Sequence, residues 1–319
     1  MRKSPLIGIT LGDPGGIGPE VLLKALVEEP HPEQFLVFAS ARVLSHHATS
    51  MNLPYEPQRF KVIDIDNIDR PYFGPKAEGS GEASIEYLES AFSFYREGKI
   101  DGLVTGPIHK KSWHTCGYDY PGQTEFCAEQ TGVLDFCMLM VSERFRIATL
   151  STHLSIQDAI AQVTKEEIVR KSRLLHREFQ RFGFQRPKIA CAALNPHAGE
   201  AGAFGDEERT EIEPALQQLR KEGIEVEGPL APEMVFRVAA VSHRWDVILA
   251  MYHDQAMIPL KLLDFHRSAN VTLGLPLLRT SPDHGTAFDI AGNGTANPGS
   301  MIYAMKLAVD WTERRMKRE

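Results

Sequence analysis

Short apolar runs alternate with stretches of helical spacing along most of this 319-residue chain. Apolar runs of strand length occur at 6–11, 35–39, 103–105 and 247–251, and several are followed by a helical pattern. Strands that alternate with helices are typical of α/β proteins with a largely parallel sheet. We therefore predict an α/β fold, and the length allows one large unit or two domains.

Caps and turns predict further elements. Thr164 is followed by acidic residues and Gly183 ends the pattern, so a helix is expected over 164–182. The apolar runs 136–141 and 146–150 flank a polar turn, which is typical of a β-hairpin. Further strands are expected at 62–65 and 188–194, helices at 19–27, 42–47, 82–95, 206–223 and from 304 onward, and a loop at 71–81.

Composition excludes several classes of function. The chain has 35 Lys and Arg against 42 Asp and Glu, for a formal net charge of -7, so it lacks the basic face that nucleic-acid binding needs. The first apolar run is too short for a signal peptide or a membrane span, so we expect a cytoplasmic protein without membrane association. The cysteines form no C-x-x-C pair, which favours reduced, mostly buried thiols at Cys116, Cys127, Cys137 and Cys191.

Polar clusters follow several of the expected strands, and three of these clusters contain a histidine. His153, His197 and His253 each come just after a strand. The carboxyl ends of strands border the ligand crevice in open α/β sheets, and neutral imidazole is a common metal ligand. We expect these three histidines to bind a divalent metal, with three unrelated loop histidines as the alternative. Most of the remaining histidines are expected to be solvated.

Two glycine-containing segments are candidates for dinucleotide binding. The turn 12–18 follows a strand and precedes a helix, but Val21 stands where a dinucleotide fingerprint has its third glycine. The segment 284–292, followed by Asn297-Pro298-Gly299, is the better candidate because its small residues allow a ligand to approach the backbone. An irregular connector is the alternative reading of that segment.

Four segments, at 12–20, 195–200, 252–255 and 280–292, closely resemble the 4-hydroxythreonine-4-phosphate dehydrogenase family of pyridoxal phosphate biosynthesis. That family is similar to the isocitrate and isopropylmalate dehydrogenases, whose G-D-G-I-G-P-E start and H-G-S-A-P-D-I-A-G loop are echoed here. The resemblance implies a two-domain α/β/α fold and a homodimer with a shared active site in the interdomain cleft. A cofactor-side domain would span 1–130 plus 280–319, and a metal, substrate and dimerisation domain would span 131–279.

The resemblance also implies roles for individual residues. A divalent metal (zinc, magnesium or cobalt) would bind His153, His197 and His253, one of them supplied by the partner subunit. Substrate contacts would be Gln123, Thr124, Lys261, Asn270 and Arg279, with Lys261 and Asp254 catalytic. NAD or NADP would contact His284, Gly285, Thr286, Asp289, Gly292 and Asn297. The family usually reads G-H-T-E-F where this chain reads G-Q-T-E-F at 122–126, so Gln123 stands in place of the family's histidine. The family commonly has Asp where this chain has Glu233.

The implied reaction is the NAD(P)- and metal-dependent oxidation of 4-phosphohydroxy-L-threonine to 2-amino-3-oxo-4-phosphohydroxybutyrate, which decarboxylates to 3-amino-2-oxopropyl phosphate. Glutamine cannot become cationic or shuttle a proton as histidine does, so Gln123 leaves an alternative open. That alternative is a paralogous dehydrogenase for 4-phosphothreonate, 4-phosphoerythronate or an aromatic cis-dihydrodiol carboxylate. A non-catalytic regulator that binds a small metabolite is a third possibility.

Overall fold

The computed structural model describes residues 4–75 and 79–318. The chain divides into two compact units, the first comprising Met1–Leu134 and Leu275–Met316, the second Asp135–Gly274 and Lys317–Glu319. Both units combine parallel strands with helices, so the α/β prediction is confirmed. It stays a prediction that one domain binds the cofactor and that the other binds the metal and the substrate.

Eleven strands lie in the described residues. They are β1 (Ile7–Thr10), β2 (Phe35–Ala39), β3 (Lys61–Asp64), β4 (Gly102–Thr105), β5 (Cys137–Ser142), β6 (Arg146–Thr149), β7 (Ile189–Ala192), β8 (Val226–Leu230), β9 (Val247–Ala250), β10 (Ser268–Leu273) and β11 (Leu278–Pro282).

The same residues form eleven α-helices. They are α1 (Gly18–Glu28), α2 (Ala41–Ser50), α3 (Ser80–Arg96), α4 (Lys110–Thr115), α5 (Gln123–Thr131), α6 (Ile156–Ala161), α7 (Lys165–Arg181), α8 (Glu213–Lys221), α9 (Pro232–Ser242), α10 (His253–Asp264) and α11 (Gly299–Met316). Short 3₁₀ segments occupy Pro32–Gln34 and Pro196–Gly202, and a π turn at Glu208–Ile212 leads into α8.

The first unit contains a parallel sheet with the strand order β3-β2-β1-β4-β11. β1 and β2 are buried along their whole length because helices cover the sheet. Parallel strands buried on both faces have near-continuous apolar sequences, which explains the run at 35–39. The carboxyl ends of β1, β4 and β11 therefore lie at one edge of this sheet.

The second unit contains a mixed sheet with the order β10-β5-β6-β9-β7-β8. β5 and β6 form the predicted antiparallel hairpin, and β6, β9, β7 and β8 run parallel to one another. The core beneath these strands includes Ile147, Ile248 and Val235. The loops after β6, β9 and β7 therefore leave the sheet at the same edge.

Local signals locate several helices close to their predicted bounds. Thr164 caps α7, since its side chain accepts a hydrogen bond from the Glu167 amide, and the helix begins at Lys165 as expected. The sequence pattern of apolar residues did not predict the helix α10. This helix contains Pro259, and Ile258, Leu262 and Leu263 are exposed, so neither propensity nor a buried apolar stripe marks it.

The structure agrees with the prediction of free, mostly buried cysteines. The cysteines are all free, and Cys127, Cys137 and Cys191 are buried, as predicted. None of the helices in the described ranges is long and apolar enough to cross a membrane. The loop expected at 71–81 includes residues 76–78, which lie outside the described residues, and α3 already begins at Ser80.

Candidate active site

The three candidate metal-binding histidines follow neighbouring parallel strands of the second unit. His153 comes after β6, His253 begins α10 directly after β9, and His197 comes after β7. Because β9 pairs with both β6 and β7, the three loops leave the sheet at one edge. The topology thus agrees with the strand-end argument made from the sequence.

His153 and His253 lie close together. Their ring centroids are 5.8 Å apart and the ring planes are inclined by 41°. The Nδ1 atom of His253 faces the Oδ1 atom of Asp254 at 2.7 Å. A carboxylate at Nδ1 fixes the tautomer in which Nδ1 carries the proton, which leaves Nε2 as the free nitrogen. Asp254 therefore orients His253 rather than facing away from it.

His197 is held by a carboxylate in the same way. Its Nδ1 atom lies 2.6 Å from the Oε1 atom of Glu233, the residue that stands where the family commonly has Asp. The His197 side chain is 63% exposed. The sequence singled out Glu233 as a departure from the family but did not reveal this contact.

The backbone around His197 adopts an unusual conformation. Residues 197–201 have φ angles of 54°, 55°, 76°, 40° and 55°, a left-handed turn that includes only one glycine. Such angles cost L residues on the order of 1 kcal/mol each and persist only where the surroundings fix them. The buried Glu208 carboxylate supplies an anchor, because it accepts hydrogen bonds from the Leu194 and Asn195 amides at 2.9 and 2.8 Å.

The described residues of one chain contain no group of three or more His, Cys, Asp or Glu side chains that could hold a metal ion. The structure therefore brings together His153 and His253 but does not add His197 to that pair within one chain.

A buried guanidinium near the start of β11 contacts the last residue of β4, Thr105. Arg279 on β11 is 3% exposed. It donates to the Thr105 hydroxyl from Nε at 3.0 Å and Nη2 at 2.6 Å, and to the Thr124 hydroxyl from Nη1 at 3.4 Å. Burial lowers the pKa of Arg279, with the nearby Cys127 and Glu125 opposing that shift. The structure thus brings together two of the predicted substrate contacts, Arg279 and Thr124.

Gln123, the residue that departs from the family, is buried at the start of α5. Its Nε2 atom donates to the Gly106 carbonyl at 2.9 Å, which fixes the amide orientation. The side chain is 8% exposed, and its Oε1 atom has no hydrogen-bond partner. In this conformation Gln123 ties α5 to the end of β4.

The remaining predicted substrate contacts belong to the second unit. Lys261 lies on α10 with Nζ 5.3 Å from the centre of the Phe265 ring. Asn270 lies on β10 opposite Met140, and its Oδ1 atom is buried without a hydrogen-bond partner. A buried amide oxygen without a donor is costly, and a ligand that supplies a donor would remove that cost.

Four amides of the glycine-rich turn at 12–18 already donate hydrogen bonds within the protein. Asp13 N donates to the Pro107 carbonyl, Gly15 N to the Asp13 carboxylate, Gly16 N to the Asp13 carbonyl and Ile17 N to the Thr286 carbonyl. Because these donors are already used, the turn serves to pack the backbone closely. Gly12 has a φ of +76°, and a Cβ there would lie 2.3 Å from the Pro107 carbonyl oxygen.

The segment 284–297 runs irregularly into α11 and leaves room for a ligand. No atom lies within 4 Å of where a Cβ of Gly285 would be, and Asp289 and Asn297 are exposed. Thr286 is buried, and Gly292 has a φ of +82°. The Asn297 side chain accepts a hydrogen bond from Gly299 N at the start of α11. Here the candidate cofactor contacts share one continuous loop.

Two buried titratable groups lie in or against the glycine-rich turn. Asp13 is 1% exposed, and desolvation raises its pKa from 3.8 to about 6, against the hydrogen bond from Gly15 N. His47 is fully buried with Nε2 3.0 Å from the Pro14 carbonyl, and burial lowers its pKa from 6.5 to about 4. The expectation that most other histidines are solvated is wrong for His47, because α2 packs this ring against Phe73.

Comparisons with known proteins assign this architecture to a class. The family described as "Pyridoxal phosphate biosynthetic protein PdxA" matches residues 26–308. The chain is 40% identical over 316 residues to a 4-hydroxythreonine-4-phosphate dehydrogenase of Sulfurihydrogenibium sp. (strain YO3AOP1), covering 95% of this chain and 97% of that protein. It is 38% identical over 328 residues to a D-threonate 4-phosphate dehydrogenase of Cupriavidus necator, covering 98% of each.

Solved structures agree with this class. A 4-hydroxythreonine-4-phosphate dehydrogenase from Klebsiella pneumoniae has a TM-score of 0.88 and 35% identity, covering 98% of this chain and 99% of that chain. A beta-decarboxylating dehydrogenase from Thermococcus kodakarensis has a TM-score of 0.51 at 17% identity, covering 96% of this chain and 82% of that chain, which shows a shared fold. The protein is therefore an α/β oxidoreductase of the dehydrogenase class. The chain belongs to the family of the pyridoxal phosphate biosynthetic protein PdxA.

Proposed function

We propose that this protein oxidises 4-phosphohydroxy-L-threonine with NAD or NADP and a divalent metal, and that the 3-oxo acid product decarboxylates to 3-amino-2-oxopropyl phosphate. This reaction belongs to pyridoxal phosphate biosynthesis. The observation that carries the proposal is the pair His153 and His253, whose rings lie 5.8 Å apart at the ends of two adjacent parallel strands.

The donor set fits a metal that prefers nitrogen ligands. Asp254 and Glu233 face the Nδ1 atoms of His253 and His197, so the Nε2 atoms remain for coordination. Imidazoles backed by carboxylates are a common arrangement at metal sites. Magnesium prefers oxygen ligands, whereas zinc and cobalt bind imidazole well. We therefore favour zinc or cobalt at His153, His197 and His253.

A homodimer would complete this set of ligands. The exposed apolar side chains of α10 and the residue after it are Ile258 at 59%, Leu262 at 80%, Leu263 at 45% and Phe265 at 59% exposed. A cluster of exposed apolar side chains on one helix is characteristic of an interaction surface. Because His253 begins this helix, a second copy packed against α10 could bring its His197 to the pair.

Side chains of the chain itself would bind and orient the substrate. Arg279 can grip a phosphate or carboxylate through two parallel hydrogen bonds, with the Thr124 hydroxyl beside it. Asn270 would accept a hydrogen bond from a substrate donor through its buried Oδ1 atom. We assign Lys261 to accept the proton that leaves the substrate hydroxyl on oxidation, a step that requires the neutral amine because an ammonium group has no acceptor. Asp254 fixes the ring of His253.

Metal and cofactor would complete the chemistry. When bound, a divalent metal supplies Lewis-acid polarisation of the alcohol, and nicotinamide supplies the hydride acceptor. The loop that carries His284, Gly285, Thr286, Asp289, Gly292 and Asn297 would hold the dinucleotide. Its open space at Gly285 supports this assignment, because a ligand can approach the backbone there.

A second candidate substrate is D-threonate 4-phosphate. The Cupriavidus necator relative of that name is almost as similar to this chain as the Sulfurihydrogenibium relative. Gln123 keeps this alternative open, because its amide cannot take the charge that a histidine could. An aromatic cis-dihydrodiol carboxylate is a third candidate, since position 123 departs from the family.

A turnover panel separates these candidates. Purified enzyme is given 4-phosphohydroxy-L-threonine, 4-phospho-D-threonate, 4-phosphoerythronate or an aromatic cis-dihydrodiol carboxylate, each with NAD and with NADP, and nicotinamide reduction is followed. We expect the highest kcat/KM with 4-phosphohydroxy-L-threonine. A higher value with another compound would replace the substrate assignment, and binding without turnover of any of them would indicate a metabolite-binding regulator.

A further inference from the structure

One ammonium group of α1 is hydrogen-bonded to the backbone of a distant loop. Lys24 Nζ donates to the Gly294 carbonyl at 2.8 Å, to the Ala296 carbonyl at 2.8 Å and to the Glu20 Oε1 atom at 2.7 Å. The three ammonium protons are therefore all used. The amide of Ala296 donates to the same Glu20 oxygen at 2.7 Å. Glu20 and Lys24 therefore both bind the backbone of residues 294–296.

The ion pair between Glu20 and Lys24 is withdrawn from solvent. The Glu20 side chain has no exposure and Lys24 is 20% exposed. Burying charges is costly and is tolerated only where hydrogen bonds compensate. Here the second oxygen of Glu20 makes no hydrogen bond. An apolar pair would cover α1 at lower cost, so the charges indicate a need to fix the backbone at 294–296.

The fixed segment belongs to the loop that we assign to the dinucleotide. It lies between Gly292 and Asn297, and Gly292 and Gly294 have φ angles of +82° and +72°. A second attachment holds the front of the loop, where Ile17 N donates to the Thr286 carbonyl at 2.9 Å. Thus the residues before and within α1 hold the loop at two points.

We propose that Glu20 and Lys24 are positioning residues for NAD or NADP, a role that rests on the proposed function of the loop. They hold residues 294–296 in the conformation that receives the dinucleotide. A preorganised loop avoids the ordering cost that a flexible loop would pay when the ligand binds. If only a fraction of the molecules has the competent loop, the apparent affinity falls by that fraction.

The test is a double variant, Glu20→Gln with Lys24→Met. It removes both charges together, leaves an oxygen at position 20 for the Ala296 amide, and leaves no buried charge unpaired. The binding of NAD and of NADP is measured by titration calorimetry, and KM and kcat are measured for each substrate. We expect dinucleotide binding about tenfold weaker, with KM for the hydroxy acid and kcat within about twofold of the wild type.

Two further measurements separate positioning from general stability. The Ala296 amide should exchange faster with solvent in the double variant, and saturating dinucleotide should slow it again. Lys306→Met, at an exposed position on α11 in the same unit, should leave dinucleotide affinity unchanged. Lys24→Gln in the Glu20→Gln background keeps one donating group and also leaves no buried charge unpaired, so it should give an intermediate affinity and serves if the first double variant does not fold.

The outcomes distinguish this inference from the proposed function. Wild-type dinucleotide affinity in either double variant would overturn the positioning role and leave the dehydrogenase assignment intact. A rise in KM for the hydroxy acid equal to that for the dinucleotide would also overturn it. Wild-type protein that binds neither NAD nor NADP would contradict the proposed function and, with it, this inference.

Discussion

The imidazole rings of His153 and His253 face each other across 5.8 Å within one chain, whereas no third His, Cys, Asp or Glu completes a metal-binding group with them in the part of the chain that the structure describes. On the proposed function, one subunit would therefore supply two of the three expected ligands, His153 and His253. The third ligand, His197, would then come from the partner subunit, and mixed dimers test this proposal.

Mixed dimers test which histidine crosses between subunits. His153→Ala mixed with His197→Ala should recover activity, because one site of each mixed dimer contains all three histidines. If the subunits exchange at random, half of the dimers are mixed and one of their two sites is complete, so activity should reach about a quarter of the wild-type value. His153→Ala mixed with His253→Ala should stay inactive, since each site then lacks one ligand. Recovery in the second mixture would show that His153 and His253 serve different sites.

Arg279 should control substrate affinity. Arg279→Ala is expected to raise KM for the hydroxy acid by an amount equivalent to about 2–5 kcal/mol, as loss of one partner of a buried charge pair does. Arg279→Lys should retain part of the affinity, because it keeps the charge but loses the planar fork. Arg96→Ala, on the exposed side of α3, is the control. Unchanged KM in Arg279→Ala with a folded protein would remove Arg279 from the substrate site.

Asp13 should make the protein less stable as pH rises. Its pKa is raised from 3.8 to about 6 in the folded protein, so the folded state holds this proton more tightly than the unfolded state does. The resulting stability is complete below about pH 4 and is lost as pH rises through 6, a difference of about 3 kcal/mol. Asp13→Asn should therefore raise the free energy of unfolding at pH 8 relative to pH 4, measured by denaturant titration. No change in that difference would contradict the assignment.

His47 should have the opposite effect on the free energy of unfolding, over nearly the same pH range. Its pKa is lowered from 6.5 to about 4, so the folded state resists protonation. Stability from this group is complete above about pH 6.5 and falls by about 3 kcal/mol as pH drops through 4. His47→Gln keeps a donor for the Pro14 carbonyl and should reduce the loss of unfolding free energy between pH 7.5 and pH 4.5. An acid loss as large as in the wild type would show that other groups cause it.

Local patterns in the sequence were sufficient for much of the fold. The strand at 35–39 and the hairpin of β5 and β6 were predicted because a buried run or a polar turn marks them within a few residues. The helix α10 was not predicted, because its exposed apolar side chains and Pro259 conceal the usual pattern. Only the three-dimensional structure shows that these residues form a helix.

Some features of the candidate site could also be predicted from the sequence, and others could not. The histidines after β6, β7 and β9 could be named from the sequence, because strand ends and polar clusters are local signals. The left-handed turn at 197–201 could not, since L residues such as Ala198 rarely adopt these angles and distant groups such as Glu208 fix them. The bonds from Lys24 to Gly294 and Ala296 join residues about 270 positions apart, which no local pattern encodes.

The most direct measurement of the central claim follows reduced nicotinamide and carbon dioxide together, with 4-phosphohydroxy-L-threonine as substrate. The enzyme is first depleted of metal with a chelator and is then given zinc or cobalt. We expect no turnover after depletion, recovery on adding metal, and equal amounts of the two products. Full activity without metal, or reduction of nicotinamide without release of carbon dioxide, would contradict the account.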